Sequence, residues 1–229
     1  MLSETAASSG GILEGFFDPA ALVVVLAGTF LATIARCGGR EIRAAGRALI
    51  RLGKRTFDED ANRAALARSV SAIAKRGHLC AETSTPPDPA TARLVDAYVV
   101  SGSLDLLHST ARAERAHREI AMAQAVRVFE FAGELAPVFG LVGTLFSITQ
   151  LAPSATGSAA EVTMAAVGTA VLSSLYGVLT ANLVCIPLAR AIERRGEREE
   201  EVRADLLEWF DAELTGGSTR SITPVQDAA

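Results

Sequence analysis

Three stretches of this chain carry no charged side chain at all: residues 19–35, 135–160 and 162–189. Its 22 lysines and arginines fall in two blocks, sixteen between Arg36 and Arg127 and six between Arg190 and Arg220. A water-soluble domain of this size rarely leaves such gaps. A helix that crosses a bilayer needs about 20 mostly apolar residues. FFDPAALVVVLAGTFLATIA (16–35) meets this with Phe16 and Phe17 in the outer interface. LAPVFGLVGTLFSITQLA (135–152) is short but extends backwards through Val126, Val128, Phe129 and Phe131. Residues 162–189 are numerous enough to tilt or project. The expected fold is an all-α membrane protein with three transmembrane helices and long cytoplasmic helical extensions.

Basic blocks stay on the cytoplasmic side. The expected order is therefore a periplasmic N-terminus (1–15), a first span (16–36), a cytoplasmic helical region (37–125) and a second span (126–152). A periplasmic loop (153–161), a third span (162–189), a cytoplasmic helix (190–214) and a flexible tail (215–229) follow. Residues 1–15 contain Glu4 and Glu14 and no lysine or arginine, so the positive start of a cleavable signal peptide is missing. Cys37, Cys80 and Cys185 lack paired spacing and imply no disulfide framework.

In the region between spans one and two, Asp58-Glu59-Asp60 opens a helical pattern that closes on Lys75-Arg76-Gly77, as the helix dipole and glycine cap favour. Asp88-Pro89 starts a shorter helix, and Ser101-Gly102-Ser103 breaks it. From Ser103 to Ala152 the one breaker is Pro137, so a rod of about 75 Å is expected. The third span likewise continues through Arg190–Leu214, with Pro187 as a kink site.

Enzyme chemistry finds no support here. His78, His108 and His117 lack ligand spacing, and no nucleophile elbow, phosphate loop or dinucleotide fingerprint is present. A net charge of −4 argues against a nucleic-acid partner. No metal site and no cofactor are expected. What the spans do carry is small and hydroxyl-bearing residues. Ala165, Thr169, Ser173, Gly177 and Ala181 form a row at four-residue spacing, beside Ala166, Ala170 and Ser174. Ala136, Gly140 and Thr144 form a row in the second span, with Gly143 and Ser147 beside it. Such rows let helices approach closely in lipid. For Thr144, Ser173 and Ser174 a second role is open, since hydroxyls can line a polar path without a buried charge. Glu134 sits at the inner edge of the second span, one turn before Pro137, where it could gate or bind. Ion passage through such charge-free spans needs a titrating group from a partner.

GELAPVFGLVGTLFSITQLAPS (133–154) and VTMAAVGTAVLSSLYGVLTANLVCIPLARAIERR (162–195) resemble the MotA/TolQ/ExbB proton-channel family, with the nearest likeness to flagellar stator A-subunits of the MotA/PomA type. FFDPAALVVVLAGTFLATIAR (16–36) resembles a span of those stators. The resemblance implies an inner-membrane subunit, pentameric around a dimer of a single-span B-type partner (MotB/ExbD/TolR-like) with an essential membrane aspartate. Flow of H+ or Na+ past that aspartate then drives rotation, in the flagellar case against a cytoplasmic rotor protein. By the same resemblance Thr144 matches the channel threonine, and Ser173 and Ser174 stand where sodium-type stators carry threonines. Pro137 and Pro187 match two prolines associated with coupling. AKRGHLCAE (74–82) resembles the rotor-facing segment, with Lys75 and Arg76 at its basic positions and Glu82 at its acidic one. Stator A-subunits have four spans. The three expected here match the TolQ/ExbB branch, which energises outer-membrane processes, so both branches stay open, as does a non-conducting membrane scaffold.

Overall fold

The computed structural model describes residues 17–53, 57–80, 84–149 and 159–220. Among them the regular structure is all helical: α1 (Pro19–Arg36), α2 (Gly39–Leu52), α3 (Glu59–Arg76), a 3-10 turn (His78–Cys80), α4 (Pro89–Ser101), α5 (Leu104–Thr149), α6 (Ala159–Leu179), a π-helical segment (Thr180–Cys185) and α7 (Ile186–Arg220). Among the described residues, three helical stretches are long and apolar enough to cross a membrane: Pro19–Arg36, Leu104–Thr149 and Thr163–Gly216. The chain forms two compact units, one from residues up to 48 with 123–192, the other from 49–122 with 193 onwards.

Local chemistry explains where the helices begin and end. Asp18 caps α1: its carboxylate accepts from the Ala20 and Ala21 amides at 3.0 and 3.2 Å, and Pro19 occupies the first turn. This cap starts the first helix at Pro19 and leaves Phe17 outside it, three residues later than the sequence boundary at 16. Asp58 caps α3, which stops at Gly77 with φ of 76°. Asp88 caps α4, which stops at the left-handed Gly102 (φ 64°), where an added Cβ would also meet the His78 ring at 2.7 Å. At the other end of the chain, the tail expected from Thr215 is partly helical: α7 runs through Gly216 and Gly217 to Arg220. Each glycine costs only about 1 kcal/mol in a helix, and the Thr215 hydroxyl adds a bond back to the Asp211 carbonyl at 2.9 Å. Similarly, α6 begins at Ala159, ahead of the boundary at 162, and α5 ends at Thr149.

In the first unit α1 packs against α6, and Ala21, Val25, Thr29 and Thr33 are its buried residues. Its outward side chains are apolar: Phe30, Leu31, Leu145, Val171 and Leu183 are all more than 60% exposed. That much apolar surface is unfavourable in water and is matched by lipid. The second unit has a core of its own, built from Leu66, Val95, Leu107, Leu206, Phe210 and Leu214.

Candidate functional site

At the seam between α5 and α6 the two helix backbones come into direct contact. A Cβ on Gly177 would lie 2.6 Å from the Ala136 carbonyl oxygen and 3.1 Å from the Cα atoms of Gly140 and Pro137. A Cβ on Gly140 would lie 2.9 Å from the Ser173 carbonyl oxygen and 3.2 Å from the Ser174 Cα. These are backbone atoms, which cannot rotate away. Gly140, Gly143, Gly177, Ala136 and Ser173 therefore meet within one subunit, with Ala181 buried a turn beyond Gly177.

The hydroxyls differ in their surroundings. Ser173 is 1% exposed, and its Oγ has no hydrogen-bond partner among the described residues. It faces Gly143, where a Cβ would come within 2.6 Å of that oxygen. Leaving such a donor unpaired costs about 1–3 kcal/mol, and Thr29 Oγ1 on α1 is buried without a partner in the same way. Thr144 is half-buried and donates to the Leu141 carbonyl at 2.6 Å, the usual refuge of a hydroxyl in an apolar helix. Ser174 is half-buried beside Gly140. Ser147 donates to the Gly143 carbonyl at 2.9 Å.

Two groups of contacts had no signal in sequence spacing. At one end of α1, the Asp18 carboxylate hydrogen-bonds the Thr169 side chain, and the Asp18 amide donates to the Tyr176 hydroxyl at 3.0 Å. Thr169, expected only to pack, thus ties α6 to the cap of α1. At the other end, Arg36 reaches Glu134 at 3.4 Å and stacks over Phe131, 3.9 Å from the ring centroid. Glu134 is exposed and paired across helices. Just past it, Cys37 is buried, and burial, followed by the charge and hydrogen bond of Glu41, pushes its thiol pKa up.

Pro137 lies inside α5, which continues unbroken. Pro187 is exposed and is accommodated by a change of hydrogen-bond register: the preceding Thr180–Cys185 is π-helical, and the Ile186 amide donates to the Ala181 carbonyl five residues back. In the second unit Lys75 and Arg76 are exposed in the last turn of α3, next to Leu79 at 76% exposure. Glu82 lies outside the described residues. Among the described residues no three His, Cys, Asp or Glu side chains come together as a metal would require.

One ion-pair network organises the second unit. Arg203 donates to the Asp88 carboxylate at 3.2 and 3.3 Å and to Glu200 at 3.0 Å, and Glu200 also accepts from Arg118 at 2.9 Å. Burial alone would raise the Asp88 pKa. The hydrogen bonds and charge of Arg203, with the Thr91 amide and hydroxyl, outweigh it and hold the carboxyl below its ordinary value.

Apolar helices of spanning length, joined by a glycine seam, define a helical membrane protein. The sequence model of the MotA/TolQ/ExbB proton channel family matches residues 83–205. The chain belongs to that family, which is one of channels and not of enzymes. It is 27% identical over 129 residues to motility protein A of Aquifex aeolicus, covering 54% of this chain and 48% of that protein, so it spans about half the relative's length. To chemotaxis protein PomA of Vibrio alginolyticus it is 24% identical, over 93% of this chain and 84% of PomA. Its fold matches a subunit in the flagellar MotAB stator complex of Bacillus subtilis with a TM-score of 0.74 at 19% identity, covering 99% of this chain and 93% of the other.

Proposed function

We propose that this subunit works in the inner membrane as the A-type component of an ion-driven rotary motor, with its N-terminus periplasmic and its C-terminus cytoplasmic. It assembles as a pentamer around a dimer of a single-span B-type partner. The partner's membrane aspartate carries the titrating charge that the charge-free stretches of this chain do not hold. Thr144, Ser173 and Ser174 provide hydroxyls along the ion path, Pro137 and Pro187 couple ion passage to helix movement, and Glu134 acts at the cytoplasmic mouth. Lys75, Arg76 and Glu82 meet the driven protein. The observation that carries this reading is Ser173, a hydroxyl buried and unbonded in the α5–α6 seam of a proton-channel-family member. A serine there can exchange bonds with water or an ion, which an alanine could not.

Flagellar torque is the favoured output, because the similarity to PomA extends over 93% of the chain. A TolQ/ExbB-like energiser is the second reading, since the matching family model takes in that branch as well. The test is ion flux into proteoliposomes that contain this chain and a single-span B-type partner. Thr144→Val and Ser173→Ala are expected to insert normally and to lose most of the flux. Replacing sodium by potassium abolishes flux if sodium is carried and leaves it unchanged if protons are. Full flux in both variants would remove the hydroxyls from the path.

A further inference from the structure

Directly after the first candidate span, α2 (GREIRAAGRALIRL, Gly39–Leu52) divides its surface into three sectors. At roughly 100° per residue, Arg40, Arg43, Arg47 and Arg51 fall within an arc of roughly 80°. All four are exposed. Arg43 and Arg47 turn their Nε atoms back to the carbonyls of Gly39 and Arg43, at 3.1 and 3.3 Å, and none of the four pairs with a carboxylate among the described residues. The rest of the protein covers a second sector, where Ala44 and Ala45 are 6% and 5% exposed. The third lies between them on the far side: Ile42, Leu49 and Ile50, with Leu49 46% and Ile50 63% exposed.

Position bears on which apolar phase meets that third sector. α1 ends at Arg36 and α2 begins after only Cys37 and Gly38, so its first residue lies within three Cα–Cα steps, at most roughly 11 Å, of the end of α1. The Gly38 amide donates to Glu41 Oε2 at 3.3 Å, and the Glu41 amide donates back to the Gly38 carbonyl at 3.0 Å, so the turn between the helices is held. The interfacial layer of a bilayer is itself about 5–8 Å deep on each side. The start of α2 therefore lies in or directly beside the headgroup layer at which α1 ends. An amphipathic helix in that layer buries its apolar sector at the acyl boundary and sets its basic sector among the phosphates.

We infer that α2 is an interfacial helix that binds anionic phospholipid, with Ile42, Leu49 and Ile50 in the acyl boundary and the four arginines on lipid phosphates. Arginine suits this because its planar fork holds two phosphate oxygens at once. The inference rests on α1 crossing the bilayer and not on which ion or machine the protein serves.

The test places a fluorophore on the third sector of the full-length protein in proteoliposomes. The parent has a single tryptophan, Trp209, which supplies the baseline. Ile50→Trp adds an emission that lipids brominated on their acyl chains quench if it lies in the acyl boundary. With phosphatidylglycerol and phosphatidylcholine mixed, and the bromine on one or the other, quenching by brominated phosphatidylglycerol is expected to be at least about twofold stronger, since one basic side chain at an anionic surface already favours it roughly fivefold. Arg43→Gln with Arg47→Gln is expected to remove most of that preference without removing quenching. Leu49→Trp provides the same readout if Ile50→Trp inserts poorly. Absence of quenching at both positions would make the sector a protein contact and overturn the inference, as would equal quenching by the two lipids. Loss of the preference in inorganic phosphate, but not in chloride of equal ionic strength, would make the site one for soluble phosphate and overturn it as well.

Discussion

At the scale of single residues, the same substitution has opposite consequences at two glycines of α6. Gly177 abuts backbone, whereas Gly168 has nothing within 4 Å of its added Cβ. Gly177→Ala should destabilise the subunit by about 1–3 kcal/mol, because overpacking against a helix backbone cannot be relieved by a rotamer change. Gly168→Ala should be neutral or stabilising by up to about 1 kcal/mol. Thermal melting of the purified variants in detergent decides it; equal melting temperatures would deny the seam its tightness. Asp88 offers a second test. Its folded pKa lies below the ordinary 3.8, so its pairing stabilises the second unit fully above that value and is lost as pH falls through the lower folded value. Removing one partner of such a buried pair costs about 3–5 kcal/mol, so Asp88→Asn should unfold the second unit earlier at neutral pH. Below about pH 4 the variant should lose less further stability than the parent, followed by amide exchange in α4. An identical acid dependence would mean that the carboxylate does not contribute.

At the scale of elements, Pro187 and the π-helical segment before it belong together. Proline has no amide hydrogen and crowds the carbonyl four residues back, here Leu183, and the shift to five-residue bonding over Thr180–Cys185 relieves this. Pro187→Ala should let α-helical bonding resume, slowing exchange of the 180–185 amides by roughly tenfold, which corresponds to about 1.4 kcal/mol. Unchanged exchange would assign the π-helical segment another cause. The sequence announced the proline but not its remedy, because a proline inside a helix can be met by a kink as well as by a register shift. Caps were more legible: Asp58, Gly77, Asp88 and Gly102 act through local hydrogen bonds and φ angles, which residue identity nearly determines. Illegible were the partners of Arg36 and Asp18, which lie 98 and 158 residues away along the chain. The small-residue rows of spans two and three were visible as spacing, but that they meet each other inside one subunit depends on tertiary packing. Helix α2 had its signal in plain view, arginines at three- and four-residue intervals, which served only as evidence of orientation.

At the scale of the whole molecule, the surface at Lys75, Arg76 and Leu79 tests which machine is driven. Exposed charges at a helix end contribute little to stability, so Arg76→Glu should leave folding, insertion and ion flux intact. If a flagellar rotor is the output, swimming speed in a strain dependent on this stator should fall to near zero, and a reversed charge on the rotor should partly restore it. Undiminished swimming would shift the assignment to the TolQ/ExbB-like branch. The packing of the first unit also bears on how the protein is made. Gly28 leaves a notch on α1 that the ring of Phe139 fills, and Thr29 and Thr33 are buried on α1. Phe139 follows α1 by about a hundred residues, and ribosomes add roughly 5–20 residues per second. For an interval on the order of ten seconds, each newly inserted α1 stands in the bilayer with its notch empty and two hydroxyls facing lipid. The first span is thus a waiting receptor for the later ones, and a chain halted before Phe139 would present the cell's membrane proteases with a span that has nothing to hold on to.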